Sequence, residues 1–186
     1  MLYEVIGDVF KHEKRDDNFV FIPHCVNSIG KWGSGFVVSI NKNLNLIPKQ
    51  CYLDWFINNV EKTNYDCHIM IESMPFALGE IQIVQPDLEK DLAIVNMVGQ
   101  VGVGQREDGS PPIDYDSIRK AAQKLHNFII GYKKKSEIAC PKFGAGLAAG
   151  KWEIIKDIIV EEWVNKGIDV TVYDFPINKI DLLNLL

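Results

Sequence analysis

The chain has 186 residues, with 20 Lys+Arg against 25 Asp+Glu, a formal net charge of -5, 47% apolar residues and 24% charged ones. That length fits one domain spanning 1–186 with a sizeable core, and the balance excludes a disordered or collagen-like chain. A net acidic chain is also a poor scaffold for duplex nucleic acid, whose phosphates demand many cationic contacts.

The N-terminus becomes charged after ten residues and has no apolar core followed by a small-residue cleavage site, so a secretory signal is not expected. No stretch approaches the roughly 18 consecutive apolar residues that cross a bilayer, and no membrane partner is expected. Cys25, Cys51, Cys67 and Cys140 are scattered without a C-x-x-C pair. That usage suits buried thiols in a reducing, cytoplasmic setting and predicts no metal site.

Taken in chain order, β-branched and aromatic runs at Leu2–Ile6, Phe19–Val26, Gly79–Val84, Leu92–Val98, Ile138–Cys140 and Val170–Tyr173 read as strands. Several are almost continuously apolar, as strands covered on both faces are. Pro48, Tyr52, Trp55, Phe56 and Val60 have helical spacing to about Lys62. Residues 61–78 read as a connection with a short strand at His68–Ile71. Asp114 or Asp116 caps a second helix carrying Ile118, Ala121, Ala122, Leu125 and Ile129 and ending near Gly131. A third helix runs from Trp152 to Trp163 and stops before Gly167, and Lys179–Leu186 reads as a short docked helix. The alternation is that of an α/β layer fold.

Ten of the 14 glycines fall in three segments that each follow a strand: 30–35, 99–109 and 144–150. Glycine lets backbone approach a ligand closely, and successive amide N–H groups in such turns form nests for anions. In open α/β sheets the ligand crevice lies at the C-terminal ends of strands, where these loops converge. No G-x-x-x-x-G-K-[ST] and no G-x-G-x-x-G between strand and helix is present, which disfavours nucleoside triphosphatase and nicotinamide-dependent readings. The segment 99–112 is long enough to act as a lid.

Four stretches carry a resemblance: GDV at 7–9, HCVNSIGKWGSGFV at 24–37, NMVGQ at 96–100 and PKFGAGLAAGKW at 141–152. Their order and spacing resemble the macrodomain family over about residues 2–175. Within it the chain is most similar to the branch holding yeast-type ADP-ribose-1''-phosphate phosphatases, the terminal ADP-ribose glycohydrolase and short bacterial and phage proteins. The resemblance implies a three-layer α/β/α sandwich around a mixed, mostly parallel sheet. The expected ligand is ADP-ribose or a 1'' derivative, held without a cofactor by a monomer in the cytoplasm, or in the host cytoplasm for a phage protein.

By the same resemblance, Asp8 accepts from the adenine amino group with the Val9 amide beside it, although a solvated turn would equally use an Asp. Gly33, Ser34, Gly35, Phe36 and Val37 form a first phosphate loop, and Gly144, Ala145, Gly146, Leu147 and Ala148 a second. Tyr173 and Phe175 pack on adenine, although aromatics near a strand end could equally be core. Asn27 orients the distal ribose, with a strand-end cap as the alternative. His24 is the acid/base candidate, since an imidazole with a pKa near 6.5 moves protons at neutral pH, although a hydrogen-bonded core histidine fits its strand position as well. His12, His68 and His126 read as surface or packing residues. The glycohydrolase's lysine nucleophile and aspartate have no counterpart, because Val98, Gly99, Gln100 and Ala148 occupy those regions. The implied activity is hydrolysis of the 1''-phosphate of ADP-ribose 1''-phosphate. Cleavage of an ADP-ribosyl or O-acyl ester and binding without turnover are the alternatives.

Overall fold

A computed structural model describes residues 1–58 and 75–175. The expected strand at His68–Ile71, the last turn of the helix reaching Lys62, Cys67 and the C-terminal helix lie outside the described residues. Six strands form one sheet: β1 Leu2–Ile6, β2 Phe19–Asn27, β3 Ile81–Val84, β4 Leu92–Gln100, β5 Ser136–Pro141 and β6 Val170–Asp174. Their order is β1-β6-β5-β2-β4-β3, all neighbours being parallel except the antiparallel pair β3–β4. This is the mixed, mostly parallel sheet expected of the sequence.

Helices cover both faces. α1 (Phe36–Asn43) and α2 (Ile47–Asn58) bury Val37, Ile40, Tyr52 and Trp55 against Val20, Ile22, Val26, Ile94 and Val98 on one side. α3 (Tyr115–Gly131) and α4 (Trp152–Ile159) bury Ile118, Leu125, Ile155 and Ile159 against Phe19, Phe21, Val95 and Ile138 on the other. The alternating side chains of β2 thus feed two cores, which is why that strand reads as a continuous apolar run. Asp114 is the cap of α3, its Oδ1 accepting from the Ser117 amide at 2.8 Å.

Two elements differ from expectation. The chain after Gly35 does not remain a loop: Phe36–Asn43 is helical, and its short apolar stripe was concealed by the glycines just before it. The third helix changes winding at Val160, and Val160–Val164 forms a π-helical turn in which the Asn165 amide donates to the Val160 carbonyl at 2.8 Å. The wider turn lets both Glu162 and Trp163 face inward, and the Trp163 Nε1–H donates to the Ala122 carbonyl at 2.8 Å.

Candidate functional site

The C-terminal ends of β2, β4 and β5 open into a cleft of about 590 Å³. Its walls are the loop 28–35 with the start of α1, the loop after β4, and the loop 142–151 leading into α4. The pairing of β2 with β4 shifts register between Val26 and Asn27 at the cleft mouth, and the Ser28 amide still donates to the Gln100 carbonyl at 2.8 Å.

The first wall is an amide-rich turn. Gly35 has φ +79° and ψ -145°, a conformation essentially confined to glycine, and it precedes α1 without any side-chain cap. The Val38 amide donates to the Gly35 carbonyl at 3.1 Å, and the other N–H groups of the first helical turn have no intrahelical acceptor and so offer donors and a positive dipole end to an anion. The loop before α4 is built similarly. Gly144 has φ +73°, the Gly150 amide donates back to the Gly144 carbonyl at 2.8 Å, and no side chain caps α4. A Cβ on Gly35 would lie 3.3 Å from Leu147 Cδ1, so the two loops meet across the cleft, with Leu147 otherwise exposed.

Of the residues expected at the site, His24, Asn27, Gly33, Ser34, Gly35, Phe36, Val37, Gly144, Gly146, Leu147 and Ala148 line the cleft. Asp8, Val9, Ala145, Tyr173 and Phe175 do not. The first two follow β1, where Asp8 Oδ1 accepts from the Phe10 amide at 3.0 Å and Val9 is buried. Phe10 in turn stacks on Phe36, ring centroids 5.6 Å apart, which connects this turn to the cleft wall. Phe175 is exposed, and Tyr173 is half-buried with its hydroxyl 2.8 Å from His12 Nδ1.

Asn27 is a cap for its own loop. Its Oδ1 accepts from the Ile29 and Lys31 amides at 3.1 and 2.9 Å, and its Nδ2 donates to the Lys31 carbonyl at 2.6 Å. Only one Nδ2 hydrogen is left for a ligand.

His24 is 1% exposed, with Trp32 edge-on at 5.6 Å and Phe36 at 5.5 Å. Its Nε2 lies 2.6 Å from Asn96 Oδ1, and its Nδ1 has no partner among the described residues. Burial lowers its pKa to about 4, against a smaller opposing pull from the Asn96 hydrogen bond. The imidazole is therefore neutral at pH 7, unlike the titrating group that sequence reasoning expects. Cys25, also on the lining, is a protonated thiol whose pKa burial pushes up to about 12.

The loop after β4 is a closed hairpin. Gln100 bridges Ile113, the Val101 amide donates to the Pro112 carbonyl at 2.8 Å, and Arg106 donates to the Ile113 carbonyl at 2.9 Å. The Gly102 amide donates to Ser28 Oγ at 3.1 Å, joining this hairpin to the first loop. Through it Val103 and Gly104 reach the cleft.

Lys31 and Lys142 also line the cleft, outside the set of residues the sequence points to. Lys142 Nζ is held 2.5 Å from Asp174 Oδ2 and 5.8 Å from the Trp152 ring centre. No local pattern marks either lysine, although both stand beside the glycine segments. His12, expected to be a surface or packing residue, joins Tyr173 to the buried Glu137, with Nε2 2.9 Å from Glu137 Oε1. Among the described residues no carboxylate lines the cleft, and none of the Cys, His, Asp and Glu side chains cluster as a metal site would require.

No protein-family model and no curated protein matches the chain. Among solved structures it is similar to a Bacteroides thetaiotaomicron protein of unknown function, at 34% identity and a TM-score of 0.78, covering 94% of this chain and 98% of that one. It is similar to a macrodomain protein from Streptomyces coelicolor at 24% identity and a TM-score of 0.73, covering 95% of this chain and 100% of that one. A third likeness is to Thermosipho africanus DarTG, solved in complex with ADP-ribose, at 15% identity and a TM-score of 0.67, covering 97% of this chain and 44% of that one.

Proposed function

The chain belongs to one family with the Bacteroides thetaiotaomicron protein and has the macrodomain fold, and on that premise we propose that it binds ADP-ribose in the cleft between the two amide loops. The observation that carries this reading is the pair of uncapped glycine turns facing each other, Gly33–Gly35 before α1 and Gly144–Gly150 before α4. A diphosphate held by backbone N–H groups needs few cations, so an acidic chain is no obstacle; Lys31 stands at the cleft, and so does Lys142, whose charge is paired with Asp174. The ADP-ribose bound by the DarTG relative supports the ligand class.

The reaction we propose is hydrolysis of the 1''-phosphate monoester of ADP-ribose. Water attacks phosphorus while the loop amides stabilise the charge gathering on the phosphoryl oxygens, a preorganised electrostatic device that needs no covalent nucleophile. The neutral His24 does not supply a proton to the departing sugar oxygen, which takes it instead from the attacking water by way of the phosphoryl group. Among the described residues no carboxylate lines the cleft, and this favours a second reading, ADP-ribose binding without turnover.

Calorimetry with ADP-ribose and phosphate release from ADP-ribose 1''-phosphate separate these readings. Heat of binding with phosphate release supports the phosphatase, and binding without release leaves the binding module or cleavage of an ADP-ribosyl or O-acyl ester. Gly35→Glu fills the first nest with a carboxylate and should abolish binding; retained affinity would overturn the site.

A further inference from the structure

Side by side on three neighbouring strands stand three buried polar residues. His24 on β2 is in register with Asn96 on β4, and Asn96 with Gln82 on β3; their exposures are 1%, 0% and 2%. Their hydrogen bonds run in one direction only, because the chain starts at a group that can only accept. The Cys51 backbone carbonyl takes a hydrogen from Gln82 Nε2 at 2.9 Å, which turns Gln82 Oε1 toward Asn96. Gln82 Oε1 accepts from Asn96 Nδ2 at 2.9 Å, which turns Asn96 Oδ1 toward His24. At 2.6 Å from that oxygen, His24 Nε2 must be the donor. The ring proton of a neutral imidazole is thereby assigned to Nε2, and Nδ1 keeps a lone pair.

That Nδ1 is buried, has no partner among the described residues, and belongs to a residue that lines the cleft. A buried acceptor without a donor is costly and calls for a partner. Phosphate oxygens are themselves acceptors and cannot serve. A hydroxyl can, and the aromatic flank formed by Trp32 and Phe36 suits the apolar face of a sugar ring.

We infer that Gln82 and Asn96 are positioning residues that lock His24 in its Nε2–H form, so that Nδ1 accepts a hydrogen bond from a hydroxyl of the ligand's distal sugar. The inference rests on the proposed ADP-ribose site and adds a selective element to it: the acceptor rewards a sugar hydroxyl and rejects an anionic oxygen. It makes His24 a recognition group rather than a proton donor.

Long-range proton–nitrogen correlation spectra of the free protein should show His24 protonated at Nε2. On addition of ADP-ribose the Nδ1 resonance should move as an acceptor nitrogen does when it gains a hydrogen bond, and ADP, which lacks the distal ribose, should leave it in place. In Asn96→Asp the carboxylate beside Nε2 draws a second proton onto the ring, turning Nδ1 into a donor. A hydroxyl can turn to accept from such a donor, so in this variant the Nδ1 resonance should lose its acceptor-type shift on addition of ADP-ribose, and ADP should still leave it in place. Gln82→Met keeps the shape but frees the Asn96 amide to turn over, and should populate the Nδ1–H form without charging the site. A free protein protonated at Nδ1, or ADP-ribose binding that leaves Nδ1 unmoved, overturns the inference. An acceptor-type Nδ1 shift that persists in Asn96→Asp would reduce Asn96 to a structural role. Absence of any heat of ADP-ribose binding sinks the ADP-ribose reading by itself, and the tautomer measurement still decides the relay.

Discussion

Acid should destabilise this protein through one identifiable side chain. His24 is enclosed by Trp32, Phe36 and Asn96, all uncharged, and its pKa in the folded state is about 4 against 6.5 for the exposed imidazole. Above pH 6.5 neither the folded nor the unfolded chain protonates it. As pH falls below 6.5 the unfolded chain takes up a proton that the folded one refuses, so stability declines by about 1.4 kcal/mol per pH unit. The decline ends near pH 4, where the folded form also protonates, and it totals about 3 kcal/mol. Other groups titrate over part of this range, so the comparison is with His24→Gln, whose amide can still donate to Asn96 but carries no charge. Urea unfolding followed by tryptophan fluorescence, which reports on buried Trp32, Trp55 and Trp163, gives stability at each pH. The difference between wild type and variant should shrink or invert by about 3 kcal/mol from pH 7 to pH 4. Parallel curves over that range would refute the buried, neutral imidazole and with it the acceptor role drawn from it.

Three further outcomes are expected. A Cβ at Gly150 would stand 2.6 Å from the Gly144 carbonyl oxygen, a backbone atom with little room to retreat, so Gly150→Ala should cost about 1–3 kcal/mol in thermal unfolding and weaken ADP-ribose binding; an unchanged melting temperature would contradict the tight turn. Glu137 is 2% exposed. Burial alone would raise its pKa, but hydrogen bonds from His12, the Arg15 amide and Asn18 outweigh it and hold the carboxyl below its usual value of 4.5. The stability it contributes is therefore full above pH 4.5 and lost as pH falls through the folded pKa, a step that Glu137→Gln should remove from acid titrations while leaving the His24 step at higher pH intact. Asp8→Ala should lower affinity for ADP-ribose more than for ribose 5-phosphate if the turn after β1 holds adenine, even though Asp8 stands outside the cleft lining; equal losses would show that it acts only as the cap for the Phe10 amide.

Apolar period and turn chemistry are local properties, and they made six strands, three of the four helices and the glycine loops legible without coordinates. Fully buried strands announce themselves as unbroken apolar runs, and Asp114 with Ile118, Ala121, Ala122 and Leu125 spells a capped helix whatever surrounds it. α1 escaped because eight residues following a glycine-rich turn carry too little periodic signal to stand apart from the loop. The state of His24 lay further out of reach. In the sequence it is a polar residue in an apolar run, compatible with a proton donor or a core group. Only strand register sets it beside Asn96, and Asn96 beside Gln82, across 72 and 14 residues of chain. The same holds for the Tyr173–His12–Glu137 chain and for the meeting of Gly35 with Leu147. By itself the sequence determined the layers of the fold and the glycine turns, because backbone preference and burial period act within a few residues. The tertiary structure alone decided which polar atoms are paired, which proton sits on which nitrogen and which turns face one another, because hydrogen-bond partners and desolvation depend on groups that are distant along the chain.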